Sequence, residues 1–290
     1  MPSLASTSPT TKSPQSDAFE RAREAVLHRS GRGLRKILAR SPEVARERSP
    51  VGGQTLLISA ACLGLHKAVK ALLPLCDAQS CDATGHNALM FAATSQVVPG
   101  ADLCMNLLLP LSDLSAANAR GRTVFHLAAV RMDGGKTVRQ LIAAGANPVA
   151  RDQEHQATPL MLAAAHDNVD GVRALLGVGA PDAQDKDGWT ASMWAIARGL
   201  RSDNGLACAR LLLPRTDINL RNNDGEDIFQ FVESWLGQKG FLLLDFLAAK
   251  IESRAIAQML GEDPATRPNP DSAPPGPDAT STPARGPMRL

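Results

Sequence analysis

Apolar positions along the chain fall into a two-part pattern that recurs. A turn residue opens a short block ending in small side chains. The blocks are GQTLLISAA from Gly53, GHNALMFAA from Gly85, GRTVFHLAA from Gly121, QATPLMLAA from Gln156, GWTASMWAI from Gly188 and a divergent GEDIFQFVE from Gly225. The starts lie 32, 36, 35, 32 and 37 residues apart, a period that signals stacked supersecondary units. A second block follows each of the first five and carries a doubled apolar pair at Leu72/Leu73, Leu108/Leu109, Leu141/Ile142, Leu175/Leu176 and Leu212/Leu213. Four of these pairs end 12 residues before the next start; the fourth unit needs 14, which places two extra residues in RDQEHQ.

Each unit reads as a turn, a short helix and a longer helix. The Ala pairs Ala60/Ala61, Ala92/Ala93, Ala128/Ala129 and Ala163/Ala164 let the short helices pack closely, and the Leu pairs face the core. Pro74, Pro110 and Pro214 stop the longer helix because Pro cannot continue the ladder, and Gly145 and Gly177 are expected to stop it with a left-handed cap. Asp82 to Gly85, Asn118 to Gly121, Asp185 to Gly188 and Asn222 to Gly225 then repeat a D/N-x-x-G spacing, in which Asp or Asn opens a turn and Gly closes it.

These residues resemble the ankyrin repeat. Its T-P-L-H-x-A signature is nearest at Thr158-Pro159-Leu160-Met161-Leu162-Ala163 and Thr123-Val124-Phe125-His126-Leu127-Ala128. The resemblance covers about residues 51 to 236 and departs at Asn87, Ala88 and Asp227, and at the longer connections QVVPGAD and RGLRSDNG. It implies an all-α helical solenoid with β-hairpin or turn fingers, helical N- and C-terminal caps, and a protein partner held on the concave face. The expected boundaries are a Ser/Thr/Pro-rich disordered leader 1–16, an N-terminal cap 17–50, and repeats 51–82, 83–118, 119–152, 153–185 and 186–222. A degenerate repeat with C-terminal cap, 225–261, and a disordered Pro-rich tail, 262–290, complete the chain. Phe19, Ala22, Val26 and Leu27 mark one N-terminal cap helix, Leu34, Ile37 and Leu38 the other; FLLLDFLAAKIESRAIAQML from Phe241 is read as the closing helix.

Composition agrees with a helical stack: 44% of residues are apolar, only 3% aromatic, and there is no Tyr, so the core is Leu, Ala, Val and Ile. A preponderance of Arg over Lys together with abundant Ala suits a GC-rich bacterial genome. The formal net charge of +2 gives no global field that favours nucleic acid or a membrane, and neither is expected as a partner. Cys62, Cys76, Cys81, Cys104 and Cys208 are odd in number and lack a C-x2-C pair, which suits reduced thiols and a cytoplasmic location. The N-terminus lacks the apolar region of a secretory signal peptide; its polar composition leaves export into a host cell by another route as the alternative.

No nucleotide-binding, metalloprotease or nucleophile-elbow motif is present, and neither an enzyme activity nor a cofactor or metal is expected. His126 occupies the family's own His position, whose default role is a hydrogen bond within the turn. Cys104 and Cys208 replace Ala68, Thr137 and Gly171 of the other units and read as small packing residues; Cys76 and Cys81 lack the second pair that zinc requires.

Reading the tip and helix offsets across units assigns the partner-binding strip to His86, Arg120, Arg122, Arg131, His155, His166, Lys186, Trp189 and Arg198. Trp189 stands where the other units carry Gln54, His86, Arg122, Ala157 and Glu226, so a large indole there is either a contact anchor or a ring packed on its neighbour. Truncating Trp189 and Arg122 together is expected to abolish capture without loss of folding. The function expected is a monomeric scaffold or adaptor. The alternatives are a secreted bacterial effector that binds a host protein through the same face, and an enzyme whose site is assembled from scattered residues.

Overall fold

The short blocks become the inner helices in a computed structural model that describes residues 14–95, 99–131, 134–199 and 203–236. These are α3 (Leu56–Cys62), α5 (Ala88–Thr94), α7 (Val124–Val130), α9 (Pro159–Ala165) and α11 (Ala191–Trp194), the last continuing as a π turn over Ala195–Gly199. Seven residues cannot hold a helix alone. Two things stabilise them: a side-chain cap and close packing. Thr55, Asn87, Thr158 and Thr190 each accept the N–H three residues on, at 2.9 to 3.4 Å. Ala60/Ala61, Ala92/Ala93, Ala128/Ala129 and Ala163/Ala164 are fully buried where α3, α5, α7, α9 and α11 pack in series.

The second blocks form the outer helices: α4 (His66–Leu72), α6 (Gly100–Leu108), α8 (Gly135–Ala143), α10 (Val169–Leu175) and α12 (Asp203–Leu212). Leu72, Leu108, Leu141, Leu175 and Leu212 are all buried. The small-residue position also holds: Ala68, Cys104, Thr137, Gly171 and Cys208 are buried one turn earlier. Of the two glycines expected to cap outer helices, only Gly145 does so. Its φ is +81°, with Ala146 N–H bonding Leu141 O at 3.0 Å. Gly177 stays outside the left-handed region, because Gly179 N–H reaches back to Leu175 O at 2.6 Å and closes that helix without it.

At the N-terminal end α1 (Pro14–Leu27) and α2 (Gly31–Arg40) pack together, and α1 covers α3. α1 draws its first turn, Pro14–Ser16, from the stretch expected to be a leader. Phe19, Ala22 and Val26 are buried, spaced to share one face, whereas Leu27, expected on that face, is 51% exposed because it lies about 100° further round. Ile37 is half-buried beside buried Leu34 and Leu38. The expected closing helix, residues 1–13 of the leader and the Pro-rich tail lie outside the described residues; α13 (Ile228–Leu236) is the last described element.

The fingers are turns. Among the described residues the extended pairings are isolated bridges, Arg48 with Thr55, Cys81 with Asn87 and Ala117 with Thr123. Five of the fingers are held by one side-chain oxygen each. Asp82 Oδ1 accepts the N–H of Thr84 and His86; Asn118 Oδ1 those of Arg120 and Arg122; Asp152 Oδ1 those of His155 and Ala157. Asp185 Oδ1 accepts from Asp187 and Trp189, and Asn222 Oδ1 from Asp224 and Glu226. The two extra residues of the fourth unit are therefore not together: one precedes Asn147 at the helix end, and only the other enlarges the turn after Asp152, where Gln156 takes φ +55°.

One backbone hydrogen bond joins each finger to the next. Ala83 donates to Gly52, Ala119 to Thr84, Gln153 to Arg120, Lys186 to His155 and Asn223 to Asp187, at 2.9 to 3.0 Å. The sixth finger keeps this bond although its letters have diverged, and Asp227 and Gln230 exchange hydrogen bonds as a reciprocal helix cap for α13.

Gly188 combines φ +78° with a place where a Cβ would lie 2.8 Å from Asn223 N, the donor of the last inter-finger bond. Gly225 has φ +80° but no described atom within 4 Å of such a Cβ. Both alanine variants pay the left-handed strain of about 1 kcal/mol. Gly188→Ala is expected to lose at least about 1 kcal/mol more than Gly225→Ala in urea unfolding; equal losses would show that the finger contact does not matter.

Candidate protein-binding surface

The inner helices contain no Asp, Glu, Lys or Arg. Charge on the face they share with the fingers therefore comes from the fingers and from residues just beyond the helix ends. Four of the expected strip residues converge on the fourth finger. Arg120 Nη1 lies 3.9 Å and Arg122 Nη2 3.5 Å from Glu154 Oε2, His155 Nε2 is 3.6 Å from Glu154 Oε1, and Lys186 Nζ donates to Glu154 O at 2.8 Å. Their exposures separate them by role. The Arg120 side chain is 68% exposed, whereas that of Arg122 is 17% exposed and donates from Nε to the fully buried Asp152 at 3.1 Å. Burial alone would raise the Asp152 carboxyl, but donation from the His155 and Ala157 N–H groups and from Arg122 holds it below the usual range.

Arg131 reaches back across a unit, donating from Nη1 to Ser95 O at 2.6 Å and Ala93 O at 3.1 Å, the carbonyls at the C-terminal end of α5. His86 links two fingers. Asn118 Nδ2 donates to its Nε2 at 2.9 Å and its Nδ1 lies 2.7 Å from Thr84 Oγ1. Since Thr84 Oγ1 donates in turn to Asp82 Oδ1 at 2.7 Å, the ring carries its proton on Nδ1. His166 is exposed at the end of α9, and the Arg198 side chain lies outside the described residues.

The rings form a second grouping. Trp189 meets Trp194 edge-on at 6.1 Å and Phe231 at 5.0 Å between centroids, and His155 meets Trp194 at 5.8 Å. Trp189 is thus a half-buried packed ring that still shows one part to solvent. Trp194 is buried and donates its indole N–H to Asp185 Oδ2 at 2.8 Å, so the carboxylate that shapes the fifth finger also anchors the helix behind it. Phe231 was not among the expected site residues. Its signal was present, because it follows Gly225 by six residues as Trp194 follows Gly188 and Phe91 follows Gly85, and Phe91 carries His86 at 5.6 Å.

His126 holds two units together. The Thr123 N–H donates to Nδ1 at 3.1 Å, which leaves Nε2–H to donate to Ala157 O at 3.2 Å. Burial lowers its pKa, against the raising effect of the Ala157 carbonyl. The thiols are poor nucleophiles: burial raises Cys62 and Cys81, brings Cys76 and Cys104 to about 11, and takes Cys208 to about 12. Among the described residues no cluster of His, Cys, Asp or Glu is disposed to hold a metal ion.

A capped inner helix, an outer helix and a finger bonded to the next, repeated along the chain, define a helical-repeat stack of the kind that presents a continuous binding face. The family model described as Ankyrin repeats (3 copies) matches residues 57–152, 96–184 and 125–224, together more than half of the chain. The chain belongs to the ankyrin repeat family. A solved structure, the ankyrin repeat domain of Bcl-3, a unique member of the IkappaB protein family, matches with TM-score 0.61 over 78% of this chain and 97% of that one. At 23% identity that likeness concerns the fold. Glycerophosphocholine phosphodiesterase gde1 of Schizosaccharomyces pombe is 39% identical over 94 residues, 32% of this chain and 8% of that protein. E3 ubiquitin-protein ligase KEG of Arabidopsis thaliana is 33% identical over 115 residues, 38% of this chain and 7% of that protein. This chain thus spans less than a tenth of either relative.

The geometry revises the expectation that Trp189 and Arg122 can be truncated without loss of folding, since one packs on two rings and the other neutralises a buried carboxylate. Arg122→Ala is expected to cost about 3 kcal/mol in urea unfolding, while Arg120→Ala stays within about 0.5 kcal/mol. Comparable effects from the two would refute the division of roles. His126 gives a pH signature. Its folded pKa is below the ordinary 6.5, so its contribution to stability is present above about pH 6.5 and is lost as the pH falls below that value. His126→Met, which installs the residue found at the same place in Met90, Met161 and Met193, is expected to lose less melting temperature than the parent between pH 7.5 and 5.5. An identical pH dependence in both proteins would exclude His126 as the source.

Proposed function

We propose that this chain is a protein-binding adaptor that holds its partner on the finger tips and the inner-helix face. The observation that carries this reading is the junction of the two groupings at His155. There the Arg120, Glu154 and Lys186 tip adjoins the ring series Trp194, Trp189 and Phe231, on a face whose helices are uncharged. Exposed Arg beside a partly exposed Trp is the composition of interface anchors. The uncharged helix face loses little hydration on being covered. Within the strip, Arg120, Lys186, His155 and the exposed part of Trp189 make the contact, while Arg122 and His86 hold the fingers in register and Arg131 ties the end of α7 to the end of α5. Under this reading the chain has no catalytic activity of its own.

Affinity capture from extract of the source cells, comparing intact protein with Arg120→Ala/Lys186→Ala, tests this. Both positions are exposed tips, so the variant should keep its melting temperature and lose a specific captured protein by at least about 30-fold. Undiminished capture by a folded variant would sink the assignment.

A further inference from the structure

The outer helices carry a charge pattern that the net charge of +2 conceals. The five outer helices contain six Lys or Arg against three Asp and the cap helix α2 adds four more cations, while the inner helices contain neither sign. Five of those cations share one register. Lys70, Arg139, Arg173 and Arg210 each lie two residues before the buried Leu of their helix, and Asn106 holds that place in α6. Arg35 is the α2 counterpart, since Ser30 N–H bonds Ala25 O as Leu65 N–H bonds Ala60 O. All six are exposed. None of the five cations has a carboxylate partner among the described ion pairs.

We propose that this outer-helix face is a second docking surface, and that its occupant is an anionic lipid bilayer, touched peripherally through Arg35, Lys70, Arg139, Arg173 and Arg210. Packed helices stand about 9 Å apart, close to the Debye length of about 8 Å at physiological salt, so Arg35 with Lys70, and Arg139 with Arg173 and Arg210, act on a surface jointly as two groups on either side of Asn106. A fluid bilayer needs no matching lattice, because its anions diffuse to each cation. Leu103, 41% exposed on α6 one turn before Asn106, sets an apolar side chain beside the row; a headgroup region accepts such a group and a phosphate backbone does not. No aromatic residue shares the register, so the stacking that single-stranded nucleic acid uses is missing. Among the described residues no helix is long and apolar enough to cross a membrane, and the contact is electrostatic and reversible. It is independent of the inner face.

Co-sedimentation of the full chain with vesicles tests the proposal. Phosphatidylcholine mixed with phosphatidylserine should bind it and phosphatidylcholine alone should not, with release at about 0.5 M salt, where screening is short-ranged. Each cation at an anionic surface strengthens partitioning about fivefold, so Lys70→Ala/Arg139→Ala/Arg173→Ala/Arg210→Ala should weaken binding at least about 100-fold with its circular dichroism unchanged. Arg139→Lys/Arg173→Lys/Arg210→Lys, which keeps the charge, should bind within about threefold of the parent. Failure to bind the mixed vesicles, equal binding by the folded alanine variant, loss of binding in the lysine variant, or binding to duplex DNA or polyglutamate in place of vesicles would each overturn it.

Discussion

Each finger after the first depends on one side-chain oxygen accepting two backbone N–H groups. Asp82, Asn118, Asp152, Asp185 and Asn222 perform this task at successive turns. A tight turn leaves N–H groups pointing inward that strand pairing does not satisfy, and leaving them unmade is costly. Asp or Asn is the short side chain that can bend back to them. Once the turn is fixed, a single backbone bond to the next finger sets the register of the stack. The same residues then serve the layer behind: Asp185 holds Trp194 and Asp152 holds Arg122.

This arrangement divides the molecule by chemistry. Inner helices are short, uncharged and rich in Ala, because neighbouring backbones must approach closely. Outer helices are free on one side and carry the cations. Fingers mix carboxylates with Arg and Lys, and Asp82, Asp152 and Asp185 are committed to backbone N–H groups. A nearly neutral chain thereby has uncharged inner helices and cation-bearing outer helices, a division that a total charge cannot express.

Much of the fold was legible because its period is local. The repeat starts, the Ala pairs, the Leu pairs and the small position shared by Cys104 and Cys208 each report a packing demand that returns in every unit, and repetition separates such demands from chance. Single occurrences were harder. Gly177 resembled Gly145 in sequence, yet the Gly179 N–H satisfied the Leu175 carbonyl four residues back and closed the helix without a left-handed residue. The sixth finger looked worn in its letters, but Asn222, Asp227 and Gln230 retained the hydrogen-bonding chemistry that matters.

The sequence by itself determined the repeat, the order of the helices, and the offsets at which side chains reach the finger tips. Tertiary structure decided which of those side chains remain available. Arg120 and Arg122 are two residues apart in one finger, but one projects into solvent and the other turns toward a buried carboxylate supplied 30 residues later. Trp189 likewise meets Phe231 from the following unit. Those partners lie across a unit boundary, and the energy of an exposed or a neutralised charge depends on what the next repeat places beside it. That is a property of the stack, not of the segment.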